Sequence, residues 1–272
     1  MVLLSKKYNF LIPIRFSNLK RYGRQADGGY VCESNIVKDS NILITFGMGP
    51  DWSFELDYIK NNPGVKIFMY DYTVTSLPYI KEVWKYFRRY ITFRGKPNAL
   101  SNRIKYLRNY LNFFKLKNVN FFPEKITYPL KGKIDTDIDK VFARIDSDNF
   151  TKGKSVVLKS DIEGSEFEII DGIVDYSKRI NALIIEFHWL DKNEEIFLES
   201  IKKLQKNFII AHIHGNNHCE KLRSGLPIAL EMTLINKKYN PEKKEFINSF
   251  PIKGLDSPNN STKEDLYFNF DI

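Results

Sequence analysis

Four short stretches of this 272-residue chain carry residue types that could do chemistry together. In Ile42-Leu43-Ile44-Thr45-Phe46-Gly47-Met48-Gly49 an apolar strand runs into two glycines. Missing side chains there permit a tight turn and let a ligand press against the main chain. One strand later comes Ile67-Phe68-Met69-Tyr70-Asp71, which sets an acid about 22 residues beyond Gly49, where a ribose can be gripped in a doubly wound sheet. The third stretch is Val156-Val157-Leu158-Lys159-Ser160-Asp161-Ile162-Glu163-Gly164-Ser165-Glu166. Asp161 and Glu163 are two apart and would point the same way on an extended segment. Beside Lys159, such a pair suits metal coordination or proton abstraction. Glu166 reads as an acid in the first turn of a following helix. The fourth stretch, Ile184-Ile185-Glu186-Phe187-His188-Trp189, ends a strand on an acid and a histidine able to act as a general base. His212, His214 and His218 follow at the end of the next strand, so all four histidines are expected at two neighbouring strand ends.

The three-glycine dinucleotide fingerprint is not met at Gly47 and Gly49. With Asp71 the turn reads as an adenosine site. The lack of a third glycine favours S-adenosylmethionine, which has no pyrophosphate to cradle.

The elements that would position these residues are legible as alternating runs. Strands are expected at Asn41–Phe46, Val65–Tyr70, Val119–Phe122, Ser155–Ser160, Ala182–Phe187, Phe208–Ile213 and Ile228–Ile235. Most are continuously apolar, as in parallel strands covered on both faces. Helical patterns fall at Phe54–Asn61, Leu77–Tyr90, Leu100–Phe114, Ser165–Val174 and Lys192–Lys206. The alternation predicts an α/β, Rossmann-like doubly wound sheet with helices on both faces. One domain is expected over 1–272, with an N-terminal lid segment at 1–40, a helical insertion at 77–117 and a tail at 236–272. Pro241, Pro251 and Pro258 interrupt the tail, and its ending Leu266-Tyr267-Phe268-Asn269-Phe270 is expected to dock as a last strand or beside the site.

Bulk composition narrows the classes. Hydrophobic residues make up 43% and charged ones 28% of the chain, ordinary for a folded protein with a sizeable core. Two cysteines, Cys32 and Cys219, are too few for a disulfide framework and wrongly spaced for a cysteine metal site. No secretory signal and no apolar run of about 18 residues is visible, so a cytoplasmic protein without a membrane span is expected. The net charge of +9 is local. Between Lys81 and Asn118 stand eleven Lys or Arg against one acid, Glu82, which points to an anionic partner or to a solvated basic helix face.

Read together, these residues resemble the FkbM-type S-adenosylmethionine-dependent methyltransferases and their close relatives. The likeness starts at Arg21-Tyr22-Gly23-Arg24-Gln25-Ala26-Asp27-Gly28-Gly29-Tyr30-Val31. It continues through Phe46-Gly47-Met48-Gly49, Ser53-Phe54-Glu55 and Tyr70-Asp71, and is densest from Leu158 to Glu166, followed by Ile185-Glu186-Phe187-His188. It covers roughly Arg21 to Glu231 in pieces. The resemblance implies a class I methyltransferase fold of seven strands, the last antiparallel. It also implies methyl transfer to an oxygen, often a hydroxyl of a sugar, glycan or glycosylated metabolite. Asp27, Gly28, Gly29, Gly47, Gly49, Phe54, Asp71 and Tyr72 would then hold the cofactor. Some similar enzymes use a divalent cation such as Mg or Mn; here Asp161, Glu186 and His214 are its expected ligands. Asp161, Glu163 and His188 are the expected catalytic groups.

Two rival readings are carried forward. The basic aromatic insertion would suit RNA methylation, gripping phosphates and stacking bases. A non-catalytic adaptor with a degenerate pocket is the other, and an intact Gly47, Asp71 and Asp161 set speaks against it.

Overall fold

A computed structural model describes residues 2–271. Met1 and Ile272, at the outer ends of the 1–40 and 236–272 segments, lie outside the described residues. The central sheet has seven strands: β1 (Ile42–Phe46), β2 (Lys66–Tyr70), β3 (Val119–Phe122), β4 (Val156–Ser160), β5 (Ile180–Phe187), β6 (Phe208–Gly215) and β7 (Leu230–Asn236). Their spatial order is β6-β7-β5-β4-β1-β2-β3. The pairs from β3 to β5 are parallel, whereas β7 lies antiparallel between β5 and β6. This is the expected doubly wound arrangement, with the last strand reversed.

Among the described residues there are seven α-helices: α1 (Ser34–Asp39), α2 (Ser53–Asn61), α3 (Leu77–Ile91), α4 (Pro97–Phe114), α5 (Ile138–Asp146), α6 (Ile170–Asp175) and α7 (Leu190–Leu204). Side chains alternate across each strand, so each strand feeds two cores. Ile44, Phe46, Leu158, Ile185 and Phe187 bury against α5, α6 and α7. Leu43, Ile67, Met69, Val157 and Ile184 bury on the other side with α1, α2 and α4. A hairpin of Leu19–Tyr22 and Tyr30–Glu33 contributes Tyr22, Tyr30 and Cys32 to that second core.

That second face changes character at the carboxyl ends of the strands. Thr45 lies beside Lys159, and Glu186 beside Glu231, which in turn lies beside His214. Apolar packing thus gives way to a buried polar row where ligands bind in open α/β sheets.

The insertion forms two helices, α3 and α4, joined by a short turn. Within α4, Tyr110 and Phe113 are buried and meet the indole of Trp52 at ring-centroid distances of 5.8 Å each. No residue of α3 is buried. The tail does dock as a strand, but away from the main sheet. Phe268–Phe270 pairs in parallel with Val2–Leu4 and antiparallel with Ser249–Phe250.

Candidate active site

A cavity of about 540 Å³ opens over the carboxyl ends of β1, β2 and β4, lined among others by Gly28, Gly49, Asp71, Tyr72, Asp161 and Glu163. Its glycine turn is fixed by sterics. A Cβ on Gly47 would sit 1.7 Å from the carbonyl oxygen of Asp161, and Gly47 has φ of +68°. No side chain fits there, so the turn after β1 can lie flush against the turn after β4. Gly29 is constrained in the same way, since a Cβ would fall 1.9 Å from the Arg24 carbonyl oxygen. Gly29 is absent from the cavity lining and supports the loop that places Asp27 and Gly28 there.

Asp71 stands at the end of β2, where the sequence placed it, and its carboxylate is fully engaged. Oδ2 accepts the backbone N–H groups of Met48 (2.9 Å) and Gly49 (2.8 Å). Oδ1 accepts the N–H (2.8 Å) and the hydroxyl (2.6 Å) of Thr73. A carboxylate has about four lone-pair sites, and all four are used. Asp71 therefore clamps the glycine turn. Among its donors only the Thr73 hydroxyl is a side chain that a ribose could displace without moving the backbone. Phe54 borders the cavity but is buried, edge-on to Tyr30 at 5.6 Å, whereas Tyr72 is half exposed at the rim.

The cavity ends on the Asp161–Glu166 turn. Asp161 Oδ2 accepts the Tyr30 hydroxyl at 2.7 Å, and Lys159 Nζ donates to the Gly47 carbonyl at 3.0 Å. The segment after Ser160 is a turn rather than an extended run. Glu163 has φ of +53°, so strand alternation is not what aims its carboxylate. A bulky residue in this region carries strain that the surroundings must hold. Glu166 does much of that holding. Fully buried, it accepts the N–H of Ile162 (3.2 Å) and that of Gly164 on both oxygens (3.1 and 3.0 Å).

Glu166 also orients the histidine, its Oε1 lying 2.9 Å from His188 Nδ1. A carboxylate only accepts, so Nδ1 carries the proton and Nε2 faces the other way. There Nε2 meets Asp161 Oδ1 (3.7 Å), Glu186 Oε1 (3.7 Å) and Glu163 Oε2 (3.8 Å). Burial alone would strip the imidazole of its second proton. The Glu166 hydrogen bond and the charges of Glu186, Glu166 and Asp161 outweigh it and push its pKa up to about 10. Glu186 is held from water by burial, and repulsion from Asp161 and Glu231 adds to the effect, so its pKa rises well above the carboxylate range. Its Oε1 takes a hydrogen bond of 2.8 Å from Asn216.

Asp161, Glu186 and His188 offer ligand atoms within 4.8 Å of one another. His214 is not part of this group, contrary to the sequence expectation. The strands bearing the histidines are neighbours in sequence, but β7 is threaded between them and interposes Glu231 between Glu186 and His214. At about 4.8 Å per strand, His214 stands two strands from Glu186. Both of its ring nitrogens are engaged, Nδ1 with Glu231 (3.3 Å) and Nε2 with Asp265 (3.1 Å). His212 is likewise taken, 2.8 Å from Asp256 in a buried pair. The sequence reading missed Tyr30, Glu166 and Asn216 as site residues. Only Glu166 carried a signal, by its place in the Asp161-to-Glu166 string.

No protein-family model matches the chain, and no curated protein matches it. Several solved structures are similar in arrangement. Fibrillarin, a pre-rRNA processing protein of Methanococcus jannaschii, is 11% identical over 74% of this chain and 68% of that one, with a TM-score of 0.39. A precorrin-6y C5,15-methyltransferase of Geobacter metallireducens is 12% identical over 75% and 88%, TM-score 0.36. A putative caffeoyl-CoA O-methyltransferase of Staphylococcus aureus is 8% identical over 75% and 80%, TM-score 0.32. At such identity and superposition no activity transfers from them to this chain.

Proposed function

We propose that the chain is an S-adenosylmethionine-dependent O-methyltransferase acting on a hydroxyl of a sugar, glycan or glycosylated metabolite. The observation that carries this reading is one continuous cavity. It runs from the clamped glycine turn, past Asp71 and Tyr72, to the carboxylates of Asp161 and Glu163. Gly47 and Gly49 both line the cavity, and a Cβ on Gly49 would meet no atom within 4 Å, so the turn offers open main chain to a cofactor; about 540 Å³ suits a ligand of nucleoside size. When bound, S-adenosylmethionine would supply a methyl group activated by its sulfonium.

The chain's own residues then divide the work. Asp71 holds the turn, with its ribose contact made where Thr73 gives way, and Asp27 and Gly28 line the same cavity. Tyr30 fixes one oxygen of Asp161, leaving the other toward the cluster at His188. Glu163 borders the cavity with its carboxylate largely in solvent, so it is the group placed to take the acceptor's proton. His188 is absent from the lining and tied to Glu166, which suits it to positioning or ligation. Alignment of acceptor and methyl along one line would supply much of the rate gain.

The donors Asp161, Glu186 and His188 fit a divalent cation of the Mg or Mn kind by chemistry and by spacing. The Glu166–His188 bond is the outer support such ligands use. Bound there, the cation would polarise the acceptor oxygen.

The direct test is calorimetric titration with S-adenosylhomocysteine, then transfer of labelled methyl from S-adenosylmethionine to a panel of nucleotide sugars and oligosaccharides. Saturable heat and a labelled sugar ether are expected. Absence of heat would sink the enzyme reading as a whole. Label appearing in RNA, with sugars blank, would replace this reading by RNA methylation, the rival in which the basic insertion grips phosphates.

A further inference from the structure

The hairpin of α3 and α4 carries surface that the catalytic reading does not use. Leu77, Ile80, Trp84, Phe87 and Ile91 recur every three or four positions and so form one stripe along α3. All five are 40–61% exposed. The opposite side of α3 is the one that packs: Tyr79 meets Tyr106 and Tyr110 at 5.6 and 4.6 Å, and Tyr86 takes the Arg103 guanidinium at 5.0 Å. Beyond the stripe the chain turns at Phe93, which has φ of +57° and is 99% exposed. A bulky ring is thereby held out into solvent between Arg89 and Arg94. Tyr90, Pro97, Leu100 and Ile104 line a shallow groove beside it.

Charge says what this surface would meet. Lys81, Lys85, Arg88 and Arg89 are exposed on the same helix, and the stretch holds a single acid, Glu82. Glu82 is itself paired with Lys85 (2.9 Å). An apolar stripe on a helix whose cations outnumber its acids four to one is the pattern of a helix that lies in the plane of an anionic bilayer surface. RNA is served less well. Leu77, Ile80 and Ile91 cannot stack on bases, and stacking is the main apolar service a nucleic acid asks for. No described helix is long and apolar enough to cross a membrane, so the contact would be in-plane.

We infer that α3 and the Phe93 turn form a docking surface for anionic lipid membranes. Tyr106 of α4 donates to the Pro50 carbonyl at 3.0 Å, and Pro50 borders the cavity, so membrane contact would be felt at the cavity rim.

The test is flotation of the full-length protein with phosphatidylcholine vesicles, with and without phosphatidylglycerol. Binding only to the phosphatidylglycerol vesicles is expected, with a blue shift of Trp84 emission that Trp84→Phe removes. Trp84→Ser with Phe87→Ser, and separately Arg88→Glu with Arg89→Glu, should each weaken binding on the order of tenfold or more. These side chains are exposed, so an unchanged circular-dichroism melt is expected and serves as the folding control. Absence of flotation, equal flotation with neutral vesicles, or flotation indifferent to both double substitutions would overturn the inference. So would RNA binding or self-association, in the absence of lipid binding, that is lost with Trp84→Ser.

Discussion

At the scale of single residues the decisive group is Glu166, which the sequence presents as an ordinary first-turn acid. In the structure it joins two jobs that usually need two residues: it closes the turn bearing Glu163 and sets the ring of His188. Glu166→Gln keeps the size but turns an N–H donor toward groups that need an acceptor. If Asp161, Glu186 and His188 hold the proposed cation, Mn2+ affinity measured by calorimetric titration should fall about 10–100-fold, as for other lost outer supports of a metal ligand. The melting curve should also drop, by about 1–3 kcal/mol for buried donors left unsatisfied. Asp161→Asn should cut methyl transfer on the order of 10²-fold or more while S-adenosylhomocysteine titrates normally. Full turnover would remove Asp161 from the chemistry. Asp161, Glu186 and His188 were readable one by one, as polar residues at the ends of apolar strands. Tyr30 was not, because it reaches Asp161 from a hairpin 131 residues away, and separation in sequence hides such a pair.

At the scale of elements, the clamp of Asp71 on the glycine turn makes the ends of β1 and β2 one unit. Asp71→Ala leaves four donors without their acceptor, two of them main-chain N–H groups at the cavity wall. Affinity for S-adenosylhomocysteine should fall by at least about tenfold, with a stability loss of about 1–3 kcal/mol seen in urea unfolding. The strands of the sheet were legible almost to the residue, since a run such as Ile42–Phe46, buried on both faces, is continuously apolar. The helix α5 went unread although its signal was present. Asp137 caps it by accepting the N–H of Lys140, and Ile138, Val141, Phe142 and Ile145 repeat with helical spacing. The helix α1 has only six residues, too few for any period to show. The order of strands was the harder matter. Nothing local in Leu230–Asn236 says that it enters between β5 and β6, and that insertion is what removed His214 from the expected metal group.

At the scale of the molecule, the buried polar row ties the tail to the sheet. His214 binds Glu231 on one side and Asp265 on the other, and Asn259 donates to Glu231 at 2.6 Å and to Asp27 at 3.3 Å. Burial favours the neutral form of His214. The hydrogen bonds to Asp265 and Glu231 outweigh that and raise its pKa from 6.5 to about 10. A pKa raised by folding gives stability that is fully present below the unfolded value and lost as pH passes the folded one. This contribution should therefore decline from about pH 6.5 and be gone above about pH 10. Melting temperatures across that range should fall, and His214→Gln should flatten the fall. His214→Ala should cost about 3–5 kcal/mol, because it leaves two buried acids without their partner. One contact reaches further. A Cβ on Gly164 would stand 3.1 Å from Cδ1 of Trp189, so the indole lies on the turn that carries Glu163. Trp189 itself follows His188 and is half exposed. An indole so placed is an optical gauge for the carboxylate cluster. With Trp52→Phe and Trp84→Phe in the background, Trp189 is the one indole left of the three, and a change in its emission on adding Mn2+ or a sugar would report the turn's response without any assay of turnover.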